Sequence, residues 1–132
     1  MASDRLKVVD LFCGAGGFSE GFSRCGFDII LAIDKWKPAV DTFKYNHPNT
    51  KVLPIDLLTL DEGEISSTIP EADVIIGSPP CTFFSSSNKG GKGDFTKGME
   101  LVKKFLQVVA IKRPKFWVLE NVPRQVSIWS IF

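Results

Sequence analysis

Five short apolar runs punctuate the chain, at residues 6–12 (LKVVDLF), 28–34 (DIILAID), 52–55, 72–77 (ADVIIG) and 115–122 (KFWVLENV). Each is too short for a packed helix and rich in Val, Ile or Leu, which predicts a buried strand. Between them, residues 18–25 read as a helix stopped by Gly26, and residues 38–45 as a helix that Pro38 can start in its first turn. Residues 98–112 (GMELVKKFLQVVAIK) carry a longer amphipathic pattern. Strands alternating with helices predict right-handed crossovers, and hence a Rossmann-like α/β fold: a parallel sheet of about five strands with helices on both faces. Ligands on such sheets bind at the carboxyl ends of the strands, so chemistry is expected where each apolar run stops.

The first run stops in DLFCGAGGFSEGF (10–22), with Asp10 expected to close the strand. Gly14, Gly16 and Gly17 let the backbone turn sharply and approach a ligand closely. Ser19 occupies the place of the last glycine in a GxGxxG fingerprint, which argues against a dinucleotide pyrophosphate and for a nucleoside without phosphates. A plain strand-to-helix turn is the competing reading. Asp34 ends the second run about twenty residues on, where a carboxylate can accept from both ribose hydroxyls. Asp56 ends the third and can accept from an exocyclic amine. Either aspartate alone reads as a loop residue or helix cap. Two of them at adjacent strand ends beside a glycine turn point to a nucleoside pocket.

The fourth run leads into GSPPC (77–81), where Pro79 and Pro80 enforce an extended path that presents Cys81 at the sheet's carboxyl edge. A cysteine is chemically useful there as its thiolate. Cys13 and Cys25 read instead as buried, inert thiols. Residues 85–98 supply Ser85, Ser86, Ser87, four glycines, Lys89, Lys92 and Lys97, a polar segment suited to ordering around a partner. The fifth run ends in Glu120 and Asn121, and the apolar residues before Glu120 predict a partly desolvated carboxyl group suited to giving a proton.

Composition narrows the partners. Sixteen Lys and Arg against fifteen Asp and Glu leave a net charge of +1, so any contact with a polyanion must be local. With 132 residues, 44% of them hydrophobic, the chain has the size and composition of one ordinary globular domain. Three cysteines without a CxxC pair give no metal site and fit a reducing compartment. Neither a leader pattern nor a membrane-length apolar run is present in the sequence, so the expected location is cytoplasmic, or nuclear in a eukaryotic source.

Taken together, DLFCGAGGFSEGF, GSPPCTFFS and LENVP resemble three motifs of the cytosine-C5 DNA methyltransferase family, in the family's order and spacing, from about residue 6 to residue 123. The resemblance implies S-adenosyl-L-methionine as methyl donor, with Phe12, Gly14, Gly16, Gly17, Asp34, Asp56, Leu57 and Leu101 at positions lining its pocket and Trp36 standing in against the adenine. It implies Cys81 as nucleophile, Pro80 bracing it, Glu120 and Asn121 holding a flipped cytosine, and a loop bearing Ser85, Ser87, Lys89 and Lys92 closing over DNA. Thr82 stands where the family usually has Gln, and Lys35 follows Asp34 where an apolar residue is common. By the same resemblance, residues 1–132 form a partial catalytic domain of an incomplete methyltransferase fold. The family's arginine-bearing motif, target-recognition region and closing helix are not in the sequence, and residues 124–132 do not resemble its continuation. A complementary methyltransferase subunit or C-terminal half is therefore the expected partner beside DNA. Methylation of transfer RNA, as in a related branch, and a non-catalytic remnant acting as a binding module are the competing functions.

Overall fold

The computed structural model describes residues 4–81 and 95–121. Strands β1 (Lys7–Leu11), β2 (Asp28–Ile33), β3 (Lys51–Leu53), β4 (Val74–Gly77) and β5 (Phe116–Leu119) form one parallel sheet in the order β3-β2-β1-β4-β5. The chain runs outward from β1 to β3 and then crosses back to β4, so the order reverses between β1 and β4. That reversal opens a crevice at the carboxyl ends of these two strands.

Period-two alternation sends successive side chains of β1 to opposite faces. Val9 and Leu11 join Leu31, Ile33, Ile75, Phe105 and Val108 in one core, under helices α3 (Glu62–Thr68) and α4 (Phe95–Lys112). Val8 joins Ile29, Ala32, Phe43, Val74 and Ile76 in the other, under α1 (Gly17–Arg24) and α2 (Lys37–Asn46). Helices on both faces follow from this two-sided burial, as the alternation of elements predicts.

The elements differ from expectation in a few places, each with a local cause. The first strand ends at Leu11 rather than Asp10, and Asp10 is fully buried between its neighbours Ala32 and Ile76. Helix α3 has no counterpart in the apolar pattern because EGEISST offers one apolar residue, Ile65. Its start was nonetheless encoded: Asp61 accepts from Glu64 N at 2.8 Å and Glu64 returns a bond to Asp61 N at 2.9 Å, a capping box. Cys25, expected to be buried, is exposed at the C-cap of α1.

Gly77 ends β4 under a tight constraint. A Cβ there would lie 2.6 Å from Phe105 Cε2 and 3.1 Å from Leu11 O. Phe105 of α4 therefore packs directly against the backbone that leads to Cys81.

Candidate functional site

The glycine turn is built around Asp34. Cys13 N donates to Ile33 O at 3.0 Å and Gly14 N to Asp34 Oδ2 at 2.9 Å, while Trp36 N donates to Asp34 Oδ1 at 2.8 Å. One carboxylate thus ties the turn after β1 to the segment after β2. Each oxygen keeps a second lone pair that can still accept from a ligand hydroxyl. Phe12 begins the turn with φ +58, a left-handed conformation rare for a bulky residue.

Beside Asp34 lies a cavity of about 240 Å³. Phe12, Ile33, Ile55, Leu57 and Leu101 form its apolar wall, and Asp34, Lys35, Trp36 and Asp56 its rim. Asp56 Oδ1 accepts from Leu58 N at 3.0 Å, capping the 3-10 turn Leu57–Thr59. Its Oδ2 sits 3.6 Å from Lys35 Nζ. Pro80 and Lys97 complete the lining, so the wall of the cavity includes the residue immediately before Cys81.

A second groove, sharing Phe12, runs past Cys13, Gly14, Gly17 and Phe18 to Ser78 and Glu120. Gly14 and Gly17 have no atom within 4 Å of a would-be Cβ and lie along this groove. Gly16 does different work. Its φ is +103, and a Cβ there would meet Phe43 Cδ2 at 2.9 Å and His47 Nε2 at 3.0 Å. It lets the C-terminal part of α2 pack behind the turn rather than opening space for a ligand.

Beneath the turn, Asp10 Oδ2 accepts from Ser19 Oγ at 2.5 Å, and Oδ1 is buried without a partner among the described residues. Burial chiefly, with Asp34 adding repulsion, pushes the Asp10 carboxyl up to about 7 against the opposing Ser19 bonds. Burial also pushes the Cys13 thiol up, and Asp10 and Asp34 add to it. Cys13 is thereby kept as the neutral thiol, unfit to attack. Cys81, by contrast, is exposed.

At the far side of the crevice, Glu120 N donates to Gly77 O at 3.0 Å and Asn121 Nδ2 to Pro79 O at 3.4 Å. Ser78 Oγ donates to Glu120 Oε2 at 2.6 Å. The desolvated surroundings expected for Glu120 are not found. Glu120 is exposed, and so are Phe116 (66%), Trp117 (49%) and Val118 (41%) before it, because β5 is the edge strand of the sheet among the described residues.

The structure thus gathers Phe12, Asp34, Trp36, Asp56, Leu57, Leu101 and Pro80 at one cavity, and Gly14, Gly17 and Glu120 at the adjoining groove. Ser85, Ser87, Lys89 and Lys92 lie outside the described residues. The Ser78–Glu120, Lys35–Asp56 and Asp10–Ser19 pairings escaped the sequence reading. Ser78 stood inside a quoted motif, but its partner is 42 positions away. Among the described residues there is no group of metal-ligating side chains and no helix long and apolar enough to cross a membrane.

The fold is that of an α/β methyltransferase. It matches the crystal structure of a putative DNA modification methyltransferase encoded within an E. coli prophage, with TM-score 0.74 and 33% identity over 89% of this chain and 32% of that one. More closely, the chain belongs to the C-5 cytosine-specific DNA methylase family, whose sequence model matches residues 6–128. The match runs on to residue 128, so the expectation that residues 124–132 do not resemble the family's continuation is corrected for residues 124–128. Type II methyltransferase M.DdeI of Desulfomicrobium norvegicum is 41% identical over 89% of this chain, which spans 28% of that relative. Type II methyltransferase M.HgiGI of Herpetosiphon aurantiacus is 37% identical over 90% of this chain, which spans 92% of that relative.

Proposed function

We propose that this chain carries the cofactor pocket and the nucleophile for methyl transfer to C5 of cytosine in DNA, through a covalent adduct on Cys81. The observation that carries the reading is the continuity of the two depressions. Pro80 lines the nucleoside-sized cavity, Cys81 follows it, and Ser78 of the same segment shares the second groove with Glu120.

The residues present fit S-adenosylmethionine. Phe12, Ile33, Leu57 and Leu101 offer an apolar slot for a purine, Asp34 offers acceptors to ribose hydroxyls, and Asp56 one to an exocyclic amine. When bound, that cofactor supplies an electrophilic methyl group on a sulfonium.

The chain's own residues account for the rest. The Cys81 thiolate attacks C6 of cytosine, forming an S–C6 bond and moving the C5=C6 electrons toward C5, while Glu120 gives a proton or hydrogen bond to N3. C5 thereby becomes the nucleophile. Once C5 has taken the methyl group that the cofactor would supply, loss of the C5 proton to solvent water, expulsion of the Cys81 thiolate from C6 and return of the N3 proton to Glu120 restore the double bond and free the enzyme. Asn121, bonded to Pro79 O, braces the end of β5 against the segment that carries the thiol. The target atom is stacked inside a duplex, so the base must be flipped out to reach this edge.

The exposed apolar residues of β5 support a second component of the reading. Phe116, Trp117 and Val118 lie on a strand whose outer edge has no partner among the described residues. A complementary methyltransferase subunit or C-terminal half adds its structure there and completes the DNA-binding surface.

DNA carrying 5-fluorocytosine tests the chemistry, because without a removable C5 proton the adduct persists. Trapping is expected to vanish in Cys81→Ser and to survive in Cys13→Ser; the reverse pattern would overturn the reading. Offering transfer RNA in parallel separates the two nucleic-acid substrates.

A further inference from the structure

Glu120 stands at an exposed strand end, where a side chain with several rotatable bonds ordinarily samples several rotamers. One side-chain bond restricts it. Ser78 Oγ donates to Oε2 at 2.6 Å, the length of a charge-assisted hydroxyl–carboxylate bond. Ser78 is itself fixed from two sides. Its N–H donates to Leu11 O at 3.3 Å, and Pro79 after it disfavours the helical region, which keeps its backbone extended. Glu120 N in turn donates to Gly77 O at 3.0 Å. A backbone bond and a side-chain bond therefore join the ends of β4 and β5 one residue apart. Oε1 of Glu120 carries no hydrogen bond among the described residues. Both side chains line the groove that holds Phe12, Gly14 and Gly17.

We propose that Ser78 is a positioning residue for the cytosine reaction, holding the Glu120 carboxyl group by Oε2 so that Oε1 is the oxygen offered to N3 of the base. This assignment rests on the function proposed above and deepens it. Ser78 acts through Glu120 and not on the reacting atoms, by fixing the plane of the carboxyl group. The hydroxyl donor occupies Oε2, which leaves Oε1 as the oxygen that faces the base. Orientation of this kind carries weight, since a displacement of about 1 Å can cost roughly a hundredfold in rate.

Ser78→Ala and Ser78→Thr, compared with the unaltered chain, test the assignment. Three-bond NMR couplings should show one dominant Glu120 rotamer in the unaltered chain and in Ser78→Thr, and averaging in Ser78→Ala. In a preparation that traps 5-fluorocytosine DNA, Ser78→Ala should slow adduct formation about 10- to 100-fold, with DNA affinity within about twofold, and Ser78→Thr should recover most of the rate. Equal rotamer distributions in the three chains, equal trapping rates, or a loss that Thr does not recover would each overturn the role of Ser78 and leave Cys81 untouched. Trapping that survives Cys81→Ser would instead overturn the cytosine chemistry, and this assignment with it.

Discussion

The two sides of the crevice are held in different ways. On the β1–β2–β3 side, the cavity walls are core residues, with Ile33, Leu57 and Leu101 at most 5% exposed, and its carboxylates are already engaged by backbone N–H groups. On the β4–β5 side, Cys81 and Glu120 are exposed, and three bonds between strand ends hold them in register. A binding slot can be finished before its ligand arrives, because a small nucleoside enters from the edge. The edge proposed to react with a whole nucleotide stays open instead, and it is positioned from beneath and along its seams.

If α4 supplies that support from beneath, Phe105→Ala should be the most damaging change. Phe105 is fully buried, lies against the Gly77 backbone and meets the Trp117 ring edge-on at 6.1 Å. Truncation should cost about 3–5 kcal/mol in a denaturant melt. Amide exchange should rise most in β4 and β5; a uniform rise across the sheet would erase the contrast between the two sides.

The finished side has one internal conflict, the buried Asp10 carboxyl beneath the glycine turn. Its folded value of about 7 lies above the ordinary 3.8, so the folded state holds a proton that the unfolded state releases. Its contribution is therefore full below about pH 4 and is lost as pH rises toward 7, with an upper bound of about 4 kcal/mol. Partly exposed Glu20 and Asp73, whose carboxyls are lowered chiefly by hydrogen bonds from Arg24 and Lys115 respectively, act in the opposite direction. The difference between the wild-type chain and Asp10→Asn isolates Asp10. Relative to Asp10→Asn, the wild-type chain should lose stability between pH 4 and 7 in thermal melts; parallel curves would show that Asp10 does not titrate in this window.

Asp34 carries both the turn and the expected ribose contact. Asp34→Ala should weaken binding of S-adenosylhomocysteine about 10- to 100-fold by calorimetry, the scale of one or two charge-assisted hydrogen bonds. NAD should not bind either chain. Preference for NAD would reverse the assignment of the cavity.

The strands were legible because Val, Ile and Leu runs bounded by turns have few other folded uses, and the motifs were legible because they end those runs. What stayed hidden depends on sheet order and on partners distant in sequence. LENV reads the same whether its strand is central or at an edge, yet that choice decides whether Glu120 is desolvated. Gly14 and Gly16 look alike in the motif, and only the packing of Phe43 and His47 separates their roles. Helix α3 was hidden for a local reason, its single inward-facing Ile65, although its capping box was already written in Asp61 and Glu64.

The smallest expected effect concerns Lys35, which sits on the rim of the otherwise finished cavity. Its Nζ lies 3.6 Å from Asp56 Oδ2, with the two side chains 54% and 34% exposed. At that exposure the pair is worth about 0–1 kcal/mol. If Asp56 accepts from the exocyclic amine of the ligand, Lys35 competes for the same carboxylate, and binding must give up part of that attraction. Lys35→Leu removes the competitor and adds apolar surface at the rim, so affinity for S-adenosylhomocysteine should rise about two- to fivefold. The gain should shrink as salt is added, because screening weakens the competing pair in the wild-type chain. A fall in affinity would show that Lys35 contacts the ligand, and would make the rim part of the recognition surface instead of a brake on it.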